Sequence, residues 1–172
     1  MRLSLTTHRL DVVMIGNAAA AIQESPVTTM DIDFMFRKTS TNLRKLKALA
    51  ADLDAMILRP FYPASQRYRM TRDRDGLQLD FMAKIDGIRS YESMRSRALL
   101  VQFGEYEVRV ADVRDIIRSK ARAGREQDLA VLPILRGRLK SKKTAEPMEQ
   151  KSALRLESDR ALVEQIRRLL AL

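Results

Sequence analysis

The chain has 172 residues, with 32 lysines and arginines against 22 aspartates and glutamates, giving a formal net charge of +10. It has no cysteine and one histidine, His8, which excludes a disulfide scaffold, a thiol nucleophile, a cysteine-ligated metal and a multi-histidine metal site. Any metal chemistry must use oxygen ligands, which suit hard cations such as magnesium and manganese. The basic excess points to a polyanionic partner such as nucleotide or RNA.

A hydrophobic content of 45% supports a globular domain with an appendage. No apolar run approaches the ~20 residues that span a bilayer. Arg2 followed by the apolar stretch Leu10–Ile22 has the outline of a secretion signal, but Asp11 and Gly16-Asn17 interrupt it, so a cytoplasmic location is expected.

Leu3–Arg9 reads as a short helix or a lead-in, and the compact apolar run Leu10–Ile15 as a buried strand. Gly16-Asn17 breaks that strand, and the alanine-rich Ala18–Gln23 is expected to form a short helix that ends at Ser25-Pro26. Thr28–Phe36 alternates in part and reads as a second strand. Thr39–Leu58 has leucines at three-to-four spacing and predicts an amphipathic helix. Tyr68–Thr71 and Gly76–Lys84 read as two strands joined by a turn at Asp75-Gly76. Tyr91–Arg97 is ambiguous. Leu99–Phe103 and Tyr106–Val110 flank Gly104 and predict a hairpin. Asp112 is placed to cap a helix that includes Asp115 and stops at Gly124. Arg125–Leu135 predicts a further helix, kinked or ended near Pro133.

Arg136–Lys143 then carries five cations in eight residues without a core pattern. The expected organisation is a folded domain over 1–135, a basic linker over 136–151 and a C-terminal amphipathic helix over 152–172.

The informative chemistry starts at Thr29-Met30-Asp31-Ile32-Asp33. Side chains alternate along a strand, so Asp31 and Asp33 share one face and Ile32 and Phe34 the other. Two adjacent carboxylates repel unless a cation neutralises them, and oxygen ligands at this spacing can bind one Mg²⁺ or bridge two. Asp80 offers a third carboxylate within Leu77–Met82. Alternation there sets Gln78, Asp80 and Met82 opposite Leu77, Leu79 and Phe81, and Asp80 is either a second-strand metal ligand or part of a solvated sheet edge. Gly16-Asn17 sits where a strand turns into a helix, and this geometry lets backbone N–H groups approach a phosphate.

In its order of elements the chain resembles the nucleotidyltransferase fold of the DNA polymerase β superfamily. It is most similar to the small prokaryotic minimal nucleotidyltransferases and the abortive-infection toxin type. The resemblance runs from about Leu10 to Leu135. It is carried by Val12–Ile15 with Gly16-Asn17-Ala18-Ala19, by Thr29 before Asp31-Ile32-Asp33, by Leu77–Phe81 with Asp80, and by Lys120 followed by Asp128-Leu129. Asn17 stands where the family has a second glycine or serine, and the leader before the first strand is short.

The resemblance implies an α+β fold in which helices flank a small mixed sheet. It also implies transfer of a nucleoside monophosphate from an NTP to an acceptor hydroxyl. Asp31, Asp33 and Asp80 would be catalytic and hold Mg²⁺ or Mn²⁺, with Asp80 also a candidate general base. Gly16, Asn17, Thr29 and Lys120 would contact the nucleotide, and Asp128 would position Lys120. For Lys120 a solvated face is the competing reading, and for Arg125 a surface or ion-paired role. Arg67, Arg69, Arg72 and Arg74 form either a phosphate-contacting rim or a solvated hairpin. Tyr62, Tyr68 and Tyr91 either stack on a base or pack at the core edge.

The acceptor would be tRNA or a partner protein, in a toxin–antitoxin or defence setting. The competing expectation is a catalytically silent antitoxin or scaffold subunit on the same fold, which binds a partner protein or RNA. A third is an RNA-binding module that uses Arg136–Lys143.

Overall fold

A computed structural model describes residues 8–27, 29, 31–58, 66–103 and 106–144. Of the expected lead-in Leu3–Arg9, His8 and Arg9 form a turn and residues 3–7 lie outside the described residues, as do Tyr62, Gly104 and the expected C-terminal helix over 152–172.

The described residues form seven strands and five helices, an α+β architecture built on one mixed sheet. In chain order these are β1 (Val12–Ile15), α1 (Gly16–Ile22), β2 (Ile32–Phe36), α2 (Ser40–Asp52), β3 (Met56–Leu58) and β4 (Arg67–Arg72). They continue with β5 (Leu77–Met82), α3 (Tyr91–Arg95), β6 (Leu99–Phe103), β7 (Tyr106–Val110), α4 (Val113–Ala123) and α5 (Glu126–Thr144). The sheet order is β3-β4-β5-β2-β1-β7-β6, with β2–β5 and β1–β7 parallel and the other pairs antiparallel. No helix among the described residues is long and apolar enough to cross a membrane.

The central strands fold as their pattern requires. Ile32, Phe34 and Phe36 are fully buried, as are Leu79 and Phe81 beside them. Phe34 stacks on Phe81 with ring centroids 5.2 Å apart, and Tyr68 meets Phe36 edge-on at 5.6 Å. The opposite face of β2 and β5 carries Asp33 and Asp80, together with Met35, Gln78 and Met82. Tyr68 is therefore a core residue, and so is Tyr91, whose hydroxyl donates to Asp11 Oδ1 at 2.7 Å.

Two helix ends depart from the sequence expectation for one local reason. α2 stops at Asp52, not Leu58, because Asp54 takes a left-handed conformation (φ 52°). The Asp54 and Ala55 N–H groups donate back to Ala51 O and Ala50 O at 3.1 and 2.9 Å, a Schellman closure without glycine. Met56–Leu58 is then free to pair with β4 as an edge strand. α1 ends the same way. Glu24 (φ 63°) and Ser25 donate to Ala21 O and Ala20 O, so the stop precedes Pro26.

Two other local readings hold. The β4–β5 hairpin turns at residues 73–76 with Gly76 at φ 66°, and Gly124 (φ 64°) closes α4. The buried Arg72 anchors the hairpin, forking onto Asp75 at 2.9 and 2.7 Å and donating to Leu53 O at 2.8 Å.

α5 does not end at Pro133. It continues to Thr144, so the basic stretch Arg136–Lys143 is helical here and not an irregular connector. Proline removes one N–H from the ladder, but Leu132 and Leu135 are buried on either side of it, and Arg138 bonds the Gln23 carbonyl and the Glu24 carboxylate. These tertiary contacts offset the lost bond.

Candidate active site

Strand pairing alone brings the acidic residues together. Asp33 on β2 lies in register with Ile15 on β1 on one side and with Asp80 on β5 on the other. Residues directly opposite in paired strands project from the same face. Asp33 and Asp80 therefore stand side by side, with Asp80 paired in turn with Arg69 on β4. Asp80 is 4% exposed on an interior strand, which rules out the solvated-edge reading.

Asp31 lies one residue before β2, which begins at Ile32 and not at Thr28. The Thr29 hydroxyl explains the shorter strand. It donates to Asp31 O at 3.0 Å and accepts from Asp31 N–H at 3.2 Å, so this local turn takes Asp31's backbone off the ladder. Gln78 Nε2 donates to Asp31 Oδ1 at 2.9 Å and ties that carboxylate to β5.

Gly16 fits the same arrangement. Its φ is +69°, and a Cβ there would sit 2.6 Å from Asp33 Oδ2. The position thus excludes side chains by backbone conformation and by contact with the acidic cluster. Asn17 follows on the first turn of α1, and its Oδ1 is buried without a hydrogen-bond partner among the described residues.

All seven residues expected at the site line one cleft of about 550 Å³: Gly16, Asn17, Thr29, Asp31, Asp33, Asp80 and Lys120. Asp128 and Arg125 line it as well. Gly124 turns the chain so that the start of α5 lies over the end of α4. Lys120 Nζ then donates to Asp128 Oδ1 at 2.8 Å, and Arg125 Nε to Asp128 Oδ2 at 2.5 Å. The lysine is therefore held at the cleft wall, with its side chain only 12% exposed. Burial pushes the Asp128 carboxyl up, but hydrogen bonds from Lys120 and Arg125 outweigh it and hold the group below its ordinary value.

The electrostatics are uneven across the three acids. Asp33 is pushed up from 3.8 to about 6, first by burial and then by the charges of Asp80 and Asp31, with Lys120 and Arg67 opposing. Asp80 is matched by arginine. Arg69 forks onto both of its oxygens at 2.9 and 2.7 Å, and Arg67 Nη1 lies 3.7 Å from Oδ2. Among the described residues no group of three His, Cys, Asp or Glu side chains is placed to hold a metal ion in this arrangement. The donor chemistry nevertheless suits a hard cation. It is all oxygen, one member is a half-buried carboxylate under like-charge repulsion, and Gly16 keeps the space beside that carboxylate free of a side chain.

The four hairpin arginines divide. Arg67 and Arg69 line the cleft, whereas Arg72 is buried behind the hairpin and Arg74 is exposed. Sequence reasoning missed Arg69 as the partner of Asp80 and Gln78 as the partner of Asp31. The signal was present: the turn at Asp75-Gly76 pairs Arg72 with Leu77, and that register puts Arg69 opposite Asp80. Asp115, read as a helix-start acid, is buried and bonded by Arg97 and Arg118. His8 lies outside the cleft, its Nε2 2.6 Å from Asp52 Oδ2.

No known protein-family profile matches the chain, and no curated protein matches it in sequence. The chain's own residues present a mixed sheet with an acidic cleft whose walls carry Arg67, Arg69, Lys120 and Arg125.

Proposed function

We propose that the chain is a metal-dependent nucleotidyltransferase of the kind its motifs resemble. The reaction is NTP plus an acceptor hydroxyl giving the nucleotidylated acceptor, pyrophosphate and a proton. The observation that carries this reading is the convergence of Asp31, Asp33 and Asp80 with Gly16, Asn17 and Lys120 on one cleft.

Asp31, Asp33 and Asp80 would hold Mg²⁺ or Mn²⁺, which when bound supplies positive charge against the triphosphate. Gly16 and Asn17 present backbone and amide groups to the phosphates at the start of α1. Lys120, oriented by Asp128, neutralises charge that builds on the departing pyrophosphate. Gln78 and Thr29 position Asp31. The acceptor is a hydroxyl of RNA, tRNA being the first candidate, or of a partner protein, and a toxin–antitoxin or defence role follows from the resemblance. The excess of cations favours RNA.

A second reading, a silent scaffold on the same fold, draws on the arginine fork across Asp80. Incubation of the full chain with labelled NTPs, Mg²⁺ and either total tRNA or cell lysate separates the two. The enzyme reading expects label on an acceptor, lost in Asp31→Ala and Asp33→Ala. Absence of transfer with all four NTPs and both acceptor pools overturns it.

A further inference from the structure

Of the three clustered carboxylates, Asp80 alone is neutralised within the described chain by a matched cation. Arg69 donates Nε–H to Oδ1 and Nη2–H to Oδ2, at 2.9 and 2.7 Å. Among the described residues, the Asp31 carboxylate receives the neutral Gln78 amide and no donor bonds the Asp33 carboxylate. The fork is built into the sheet, because Arg69 and Asp80 are direct partners across β4 and β5. The two ends of the pair differ in access. The Asp80 side chain is 5% exposed, whereas that of Arg69 is 30% exposed and lies on the side of the sheet edge, next in register to the exposed Leu58.

Asp31 and Asp33 line the cleft without a described cation bonded to them, whereas a cation entering it meets a bound guanidinium at Asp80. A guanidinium fork matches a phosphate as well as it matches a carboxylate. An anionic group placed near Arg69 competes for it, and the exposed side of Arg69 gives it room to move outward while Asp80 stays fixed in the strand. Arg67, two residues away on the same face, lies within ion-pair range of the same carboxylate, its Nη1 3.7 Å from Oδ2.

We propose that Arg69 couples anion binding to divalent-cation binding in this cleft: resident on Asp80 it weakens cation binding, and drawn off by a substrate phosphate it releases Asp80 as a ligand. The inference rests on the reading of the cleft as a nucleotidyl-transfer site. Linkage makes the effect reciprocal, so bound cation tightens phosphate binding by the same factor. The arrangement keeps the site from holding the cation before substrate arrives.

Titration of the full-length chain with Mn²⁺ alone, followed by the signal of free Mn²⁺ in electron paramagnetic resonance, tests the proposal. Arg69→Ala should bind Mn²⁺ at least about fivefold more tightly than the wild type, within the range usual for coupled sites. The double variant Arg69→Ala/Asp80→Asn should lose that gain. A nucleoside monophosphate, after correction for the Mn²⁺ it binds itself, should tighten Mn²⁺ binding to the wild type and leave Arg69→Ala unchanged. Arg69→Gln repeats the test if Arg69→Ala fails to fold by circular dichroism.

Equal or weaker Mn²⁺ binding by the Arg69 variants, with binding still abolished by Asp33→Asn, overturns the coupling and leaves the site reading intact. Mn²⁺ binding that ignores Asp33→Asn overturns the site reading itself, and the coupling with it.

Discussion

Replacing Asp33 with asparagine should make the metal-free protein more stable, although it removes a central residue of the proposed site. The Asp33 carboxyl is pushed up from 3.8 to about 6 by burial and by the neighbouring Asp80 and Asp31. A group whose folded value lies above its unfolded value holds its proton more tightly in the fold. No penalty exists below about pH 4. The penalty grows as pH rises through about 6 and is complete above it.

At ~1.4 kcal/mol per pH unit the full penalty is about 3 kcal/mol, and a neutral asparagine of the same shape escapes it. For a chain of this size that corresponds to a melting-temperature gain of about 6–12 °C at pH 8 in EDTA, shrinking towards zero at pH 4. Thermal melts of wild type and Asp33→Asn across that range measure it directly. A wild type as stable as the variant at pH 8, or a gain that does not change with pH, refutes the argument that the acidic cluster is electrostatically strained.

The other predictions concern single contacts. Gly16→Ala forces an alanine into the left-handed region with its Cβ 2.6 Å from Asp33 Oδ2, so it should cost at least about 1–2 kcal/mol in denaturant unfolding and abolish transfer. Asp54→Gly should do the reverse and stabilise the fold by about 1 kcal/mol, because glycine meets φ 52° without strain at the end of α2. Lys120→Met should retain the fold in circular dichroism but weaken triphosphate binding at least tenfold in a nucleotide titration, as Asp128 keeps Arg125 as partner. A loss of fold in place of a loss of affinity would make Lys120 a structural residue.

The parts of the fold that were legible in the sequence are those set by neighbours in the chain. The β1–Gly16–α1 junction, the β4–β5 hairpin at Asp75-Gly76, the Asp112 cap and the Gly124 stop each follow from local turn and capping chemistry. The alternation along β2 and β5 likewise placed Asp33 and Asp80 away from the phenylalanine core.

What escaped depends on contacts far along the chain or on residues acting against type. Met56–Leu58 continues the helical spacing of α2, and only Asp54 in a left-handed conformation and the waiting edge of β4 make it a strand. Pro133 is a standard helix breaker, yet Leu132, Leu135 and Arg138 hold α5 together across it. At the site, each acid was visible singly. The Arg69 fork and the Gln78 amide were not, because they arise from strand register and not from any motif.

Transfer from an NTP labelled at the α-phosphate, compared in parallel with one labelled at the γ-phosphate, tests the central claim most directly. Nucleotidyl transfer predicts that the acceptor takes up the α-label, never the γ-label, and that Asp31→Ala and Asp33→Ala take up neither. Label from the γ-phosphate on the acceptor, or no label from either position with any of the four NTPs, would contradict the account.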